Sequence, residues 1–118
     1  MNNAHGRPHL AKKIERVARV KFSIFLLWLI SKKAVHGYDI IKALKAEPAM
    51  SEMSVSRIYP ILAELSRKGL ISCRTLMQGK RAKKLYRLTP LGKARLHQAK
   101  TYIRNNRLMV AFMEDMLK

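Results

Sequence analysis

The apolar run Phe22-Ser23-Ile24-Phe25-Leu26-Leu27-Trp28-Leu29-Ile30 constrains this chain more than any other stretch. A membrane span needs about 20 apolar residues. This run is far shorter, with Lys21 before it and Lys32-Lys33 after it. The small residues of a signal-peptide cleavage site are also missing, so neither a span nor a signal segment is expected. A buried helix remains, and the spacing predicts it over Leu10–Ser31. Ile14, Val17, Ala18 and Val20 make its first half one-sided, while its second half is apolar all round. A helix apolar on every side must be covered on every side. A chain of 118 residues has one modest core and covers one face with it. The other face is expected to meet a partner subunit.

The rest of the chain is punctuated clearly. Met1–His9 is polar, contains Gly6 and Pro8, and reads as a flexible basic arm. His5 and His9 have a helical metal-ligand spacing, but Gly6 and Pro8 argue against a helix there, and no metal site is expected. After Gly37, the spacing of Tyr38, Ile41 and Leu44 predicts a short helix that Pro48 ends. Serines in Ser51–Ser56 can cap a third helix carrying Ile58, Ile61, Leu62 and Leu65, with Gly69 at C′. Pro60 means that this helix either begins late, near Ser56 or Arg57, or kinks. Leu70–Met77 and Lys83–Leu88 read as a two-stranded hairpin about a basic turn at residues 78–82. Thr89-Pro90 starts a last helix, expected to reach Met116. Along it Ala99, Tyr102, Asn106, Met109, Met113 and Met116 step by threes and fours, an a/d seam.

Charge decides the partner class. The formal net charge is +18, from 25 Lys+Arg against 7 Asp+Glu, in a chain that at 48% apolar residues is globular. No acidic residue occurs between Glu64 and Glu114. Solvated faces normally mix signs, so the imbalance points to a polyanion. The single cysteine, Cys73, excludes an intramolecular disulfide and fits a reducing cytosol. No nucleophile motif, paired carboxylates or phosphate loop is visible, so no catalytic residues, cofactor or enzyme activity are expected.

Three helices, a hairpin and a long helix compose a mainly α fold with a small β-hairpin (α+β): a winged helix-turn-helix over residues 10–88 and a C-terminal helix over 89–118. The Ile58 helix would enter the major groove of duplex DNA. Lys80, Arg81, Lys83 and Lys84 at the hairpin suit phosphates or a minor groove. Ser54 and Ser56 are either plain caps or present backbone N–H groups to phosphate.

Three blocks carry a family resemblance. They are His36-Gly37-Tyr38-Asp39-Ile40, Ser56-Arg57-Ile58-Tyr59-Pro60-Ile61-Leu62-Ala63-Glu64-Leu65 with Gly69-Leu70-Ile71, and Tyr86-Arg87-Leu88-Thr89-Pro90-Leu91-Gly92. In order and spacing the chain, over roughly Phe22–Leu96, resembles the PadR family of transcriptional regulators. The resemblance implies a homodimeric winged-helix repressor on a pseudo-palindromic operator, in the cytoplasm and on the nucleoid. It implies that the C-terminal helix dimerises with help from the first, through Phe25, Trp28, Tyr102, Asn106, Met109, Phe112, Met113 and Met116. Tyr59 becomes a phosphate or base contact, the alternative being a core tyrosine. Trp28 either packs in the core or lines an interface cavity for a small aromatic effector. His36 and Tyr38 read as structural. Arg57 stands where the family usually has a small residue, which adds a cation to the groove-facing helix. The high charge keeps an architectural, DNA-coating role as the alternative. An RNA reader would need a platform of exposed aromatics on a sheet, which this chain lacks.

Overall fold

A computed structural model describes residues 8–48 and 55–118. Met1–Arg7, including His5 and most of the expected arm, and Ser54 lie outside the described residues. The elements run α1 (Pro8–Lys32), β1 (Val35–His36), α2 (Gly37–Lys45), α3 (Val55–Arg67), β2 (Ile71–Gln78), β3 (Arg81–Leu88), α4 (Pro90–Asn105) and α5 (Arg107–Met116).

Helix α1 starts earlier than the apolar pattern suggests. Pro8 and His9 belong to it and not to an arm, because proline is tolerated in a first turn, where its missing N–H would have no intrahelical partner. The far end of α1 supplies Leu26, Leu27 and Ile30 to the core. Ile40, Ile41 and Leu44 of α2, Ile58, Leu62 and Leu65 of α3, Leu70, Ile71, Tyr86 and Leu96 complete it. Each fully buried Leu or Ile contributes roughly 1.5–3 kcal/mol by leaving water. α4 packs on α1 and β3, so the core extends into the C-terminal segment.

Helix α3 begins at Val55, next to Ser56, in line with the first of the two expected alternatives, and carries Pro60 in its second turn. Its end is a Schellman motif: the Gly69 N–H donates to Ser66 O and the Leu70 N–H to Leu65 O, both at 3.0 Å. The expected hairpin is part of a three-stranded antiparallel sheet in the order β1-β3-β2. The extra strand pairs Val35 with Tyr86 and His36 with Leu85. The hairpin turn is also tighter than expected. Gln78 pairs with Arg81, leaving only Gly79-Lys80 between the strands. Gly79 has φ +64° and is followed by an ordinary φ, the pattern of a type II′ turn.

Thr89 caps α4 as its sequence suggests. Its Oγ1 accepts from the Gly92 N–H at 3.0 Å and donates to Gly69 O at 2.6 Å, tying the start of α4 to the end of α3. The single long C-terminal helix is not formed. At Asn106 the backbone leaves the helix (φ −90°, ψ 77°) and its side chain accepts from the Met109 N–H at 3.3 Å. An asparagine that caps a new helix competes with continuing the old one. Asn106 is therefore a cap between two helices and not a polar residue of a continuous seam.

Candidate nucleic-acid interface

On α3, Ile58, Leu62 and Leu65 face the core. Opposite them Ser56, Pro60, Ala63 and Arg67 are exposed and recur at i, i+4, i+7 and i+11, one ridge pointing outward. The first three side chains are short, so the helix axis can approach a groove closely. Arg67 closes the ridge with a cation. Arg57 is exposed but lies off the ridge, on the flank carrying Glu64 and Lys68. The periodicity of α3 is legible in the sequence, whereas the place of Arg67 on the outward ridge follows only from the buried face of the folded helix.

Tyr59 sits on the other flank, half-buried against the core. It borders two open grooves. One is lined by His36, Gly37, Tyr38 and Asp39 at the start of α2 and by Arg81, Ala82, Lys83 and Lys84 of β3. The other runs between α3 and the sheet, past Pro60, Ala63, Ser66, Arg67, Cys73 and Lys84. The structure thus brings Tyr59, Arg81, Lys83, Lys84 and Arg67 around one helix, with Lys80 exposed at the hairpin turn. Directly opposed residues share a face of the sheet, so Arg81, Lys83 and Arg87 stand on one face with Arg74 and Leu85. Lys84 shares the other face with Tyr86 and Cys73.

A close approach fixes Tyr59. A β-carbon at Gly37 would lie 3.1 Å from its ring and hydroxyl and 3.2 Å from the Tyr86 ring, so a side chain there would displace it. Burial, then the neighbouring Cys73 thiol, and then Tyr59, push the Tyr86 hydroxyl up to about 12, so it stays protonated and uncharged beneath the groove. Tyr38 does not fill the structural role expected of it. It is 68% exposed, with Lys42 Nζ 5.9 Å from its ring centroid. His36 is half-buried, and its Nδ1 is buried without a hydrogen-bond partner. Among the described residues one ion pair forms, Lys68 Nζ with Glu64 Oε1 at 3.4 Å. The exposed wing cations therefore have no carboxylate partner among the described residues.

A second exposed surface is apolar. Trp28 is not a core residue: it is 40% exposed, stacked on Phe25 at 5.9 Å, with Lys32 Nζ 5.0 Å from its ring centroid. Helix α5 buries none of its side chains. Leu108, Met109, Phe112, Met113 and Met116 are all exposed, as is Tyr102 on α4. Among the described residues no helix is long and apolar enough to cross a membrane, and no group of three potential metal ligands forms.

Comparison with known proteins places this geometry. The model of the Transcriptional regulator PadR-like family matches residues 26–98. The chain is 42% identical over 74 residues to the Negative transcriptional regulator PadR of Bacillus subtilis (strain 168), a match covering 61% of this chain and 41% of that protein. The chain thus spans well under half the length of this curated relative. Among solved structures, the PadR-like transcription factor of Bacteroides fragilis superimposes with a TM-score of 0.76 at 20% identity, covering 86% of this chain and 98% of that one. Bacillus subtilis PadR in complex with operator DNA superimposes with a TM-score of 0.56 at 38% identity, covering 65% of this chain and 45% of that one.

Proposed function

The chain belongs to the PadR-like family of transcriptional regulators, which are not enzymes, and we propose that it is a dimeric repressor that binds a pseudo-palindromic operator in duplex DNA. The observation that carries this reading is the small-residue ridge of α3, flanked by Tyr59 and by wing cations that have no carboxylate partner among the described residues. A ridge of Ser56, Pro60 and Ala63 fits a major groove, where base edges are distinguishable. Lys80, Arg81, Lys83 and Lys84 fit phosphates, which position the protein without reading sequence. Tyr59 and Arg57 flank the ridge and contact the groove edges. The relative of known complex binds operator DNA, which supports the same partner here. A regulator of this kind works in the cytoplasm, on the nucleoid.

Two apolar surfaces support the dimer. Trp28 on the outer side of α1, and Leu108, Met109, Phe112, Met113 and Met116 on α5, are large apolar side chains left exposed, the kind of surface that marks a protein–protein contact. Glu114 and Asp115 sit at the C-terminal end of α5, where carboxylates are disfavoured by the helix dipole. Lys12, Lys13 and Arg16 of a second copy would offset them. A gap between the copies beside Trp28 would suit a flat aromatic effector.

Titration of a labelled duplex with the protein over a range of salt tests the reading. Neutralising six to ten phosphates makes affinity fall roughly 10³–10⁵-fold between about 50 and about 200 mM salt. Replacing one wing cation by Ala lowers the log–log slope by about one and weakens all sequences alike. Arg57→Ala changes which sequences are preferred. A flat salt dependence overturns duplex binding. Equal loss on selected and random DNA for Arg57→Ala assigns Arg57 to phosphate and favours the architectural reading.

A further inference from the structure

Helix α4 carries cations that the interface above does not use. Gly92, Leu96 and Ala99 mark its inward face. Lys93, His97, Lys100 and Arg104 recur at i, i+4, i+7 and i+11, and all four are exposed. They form one stripe, about 16 Å long at 1.5 Å per residue. None of them has a carboxylate partner among the described residues.

The stripe points away from the end of α3. Leu91, on another flank of α4, lies against Gly69 just after α3, with its Cδ2 3.8 Å from where a β-carbon there would sit. At 100° per residue, Leu91 and the centre of the stripe stand about 150° apart around α4. Like charges held in a row cost self-repulsion unless an anion neutralises them. A stripe of this length spans about five base-pair steps measured along the duplex axis, at about 3.4 Å each.

We propose that the α4 stripe of Lys93, Lys100 and Arg104 is a second duplex-binding surface, so that the protein bridges two DNA segments, one on α3 and the wing and one on α4. The contact is to phosphates and has no sequence preference, since three cations on one helix flank carry no base readout. This inference rests on the duplex-binding reading above.

The test uses the full chain, a duplex of about 20 base pairs tethered to beads, and a fluorescent second duplex of unrelated sequence. Wild type retains the second duplex on the beads. Lys93→Gln with Lys100→Gln and Arg104→Gln retains less than a tenth as much, while its affinity for a single duplex stays within about threefold. With three phosphates neutralised, capture by wild type weakens roughly 40-fold between about 50 and about 200 mM salt. Lys83→Ala with Lys84→Ala weakens binding of the first duplex, so a failure of the α3 interface is distinguishable from a failure of the stripe. The proposal is overturned if wild type captures no second duplex, or if the stripe variant captures it as wild type does. It is equally overturned if the variant loses single-duplex affinity as steeply as the wing variant. If sedimentation shows that the variant alters self-association, the stripe faces a second copy of the chain, and the proposal also fails.

Discussion

Gly37→Ala should separate the position of Tyr59 from the charge of the interface. The new β-carbon would lie 3.1 Å from Cε1 and from the hydroxyl oxygen of Tyr59, and 3.2 Å from Cε2 of Tyr86. Carbon pairs prefer about 3.5–4.0 Å, so a neighbour must yield by a few tenths of an ångström. Tyr86 is 4% exposed and held within the core, whereas Tyr59 is half-buried at a groove wall. Tyr59 is therefore the group that moves. Crowding of this kind costs about 1–3 kcal/mol, and the better helix propensity of Ala in α2 offsets up to about 1 kcal/mol of it. The variant should fold, with stability reduced by about 0–2 kcal/mol in urea. Its affinity should fall more clearly. A hydrogen bond to a charged phosphate is worth about 1.5–3 kcal/mol, so losing it weakens binding roughly 10–150-fold. Fluorescence anisotropy on a duplex selected by the wild-type protein from a random pool measures this. Tyr59→Phe, alone and combined with Gly37→Ala, completes a double-mutant cycle. Strong non-additivity is expected, because both changes remove one contact. Wild-type affinity in a folded Gly37→Ala variant, or simple additivity, would refute the reasoning.

Thr89→Ala removes the Oγ1 bonds to the Gly92 N–H and to Gly69 O, and urea unfolding should show a loss of about 1–2 kcal/mol. Tyr86 has its pKa raised from 10.0 to about 12 by folding, so the unfolded chain loses its proton first. Stability is then unaffected below about pH 10 and falls between pH 10 and 12 by up to about 1.4 kcal/mol per unit; Tyr86→Phe should flatten that limb of a pH-dependent unfolding series, and an unchanged slope would remove Tyr86 as its cause. Met109→Asp with Met113→Asp places charge on the uncovered face of α5 and should give a monomer or an aggregate by sedimentation, with operator binding abolished. A well-folded wild-type monomer at micromolar concentration, bound tightly to a single half-site, would contradict the dimer.

Local chemistry made much of the fold legible. The Schellman end at Gly69 and the Thr89-Pro90 start each depend on residues within a few positions. What the sequence hid depends on distant residues or on competition. Strand β1 is two residues long and exists because Tyr86 and Leu85, far along the chain, pair with Val35 and His36; no local pattern announces it. The break at Asn106 lies inside a run whose apolar spacing suits one helix, and a side-chain cap decides otherwise. Trp28 belongs to an apolar run, yet only the packed structure shows that Leu26, Leu27 and Ile30 take the core while Trp28 turns outward. At the interface, the charges of the wing were readable from composition. The outward ridge ending in Arg67 became visible only once the buried face of α3 fixed its rotation.

The break at Asn106 changes how the expected dimer would form. A continuous helix to Met116 would present a rigid seam already folded. Helix α5 is instead a separate ten-residue segment with no buried side chain. Isolated helices shorter than about 12–15 residues are marginal in water, so α5 gains its order from whatever covers Met109, Phe112 and Met113. In the proposed dimer, association would then carry an ordering cost, and the affinity of the two copies for each other would be lower than the apolar area suggests. Because α4 packs on α1 and β3, the position of α5 would set the angle between the two wings of the proposed dimer, and with it the spacing of the half-sites. A ligand or substitution that stabilises α5 should therefore tighten DNA binding without touching α3, through the linkage between ordering and association.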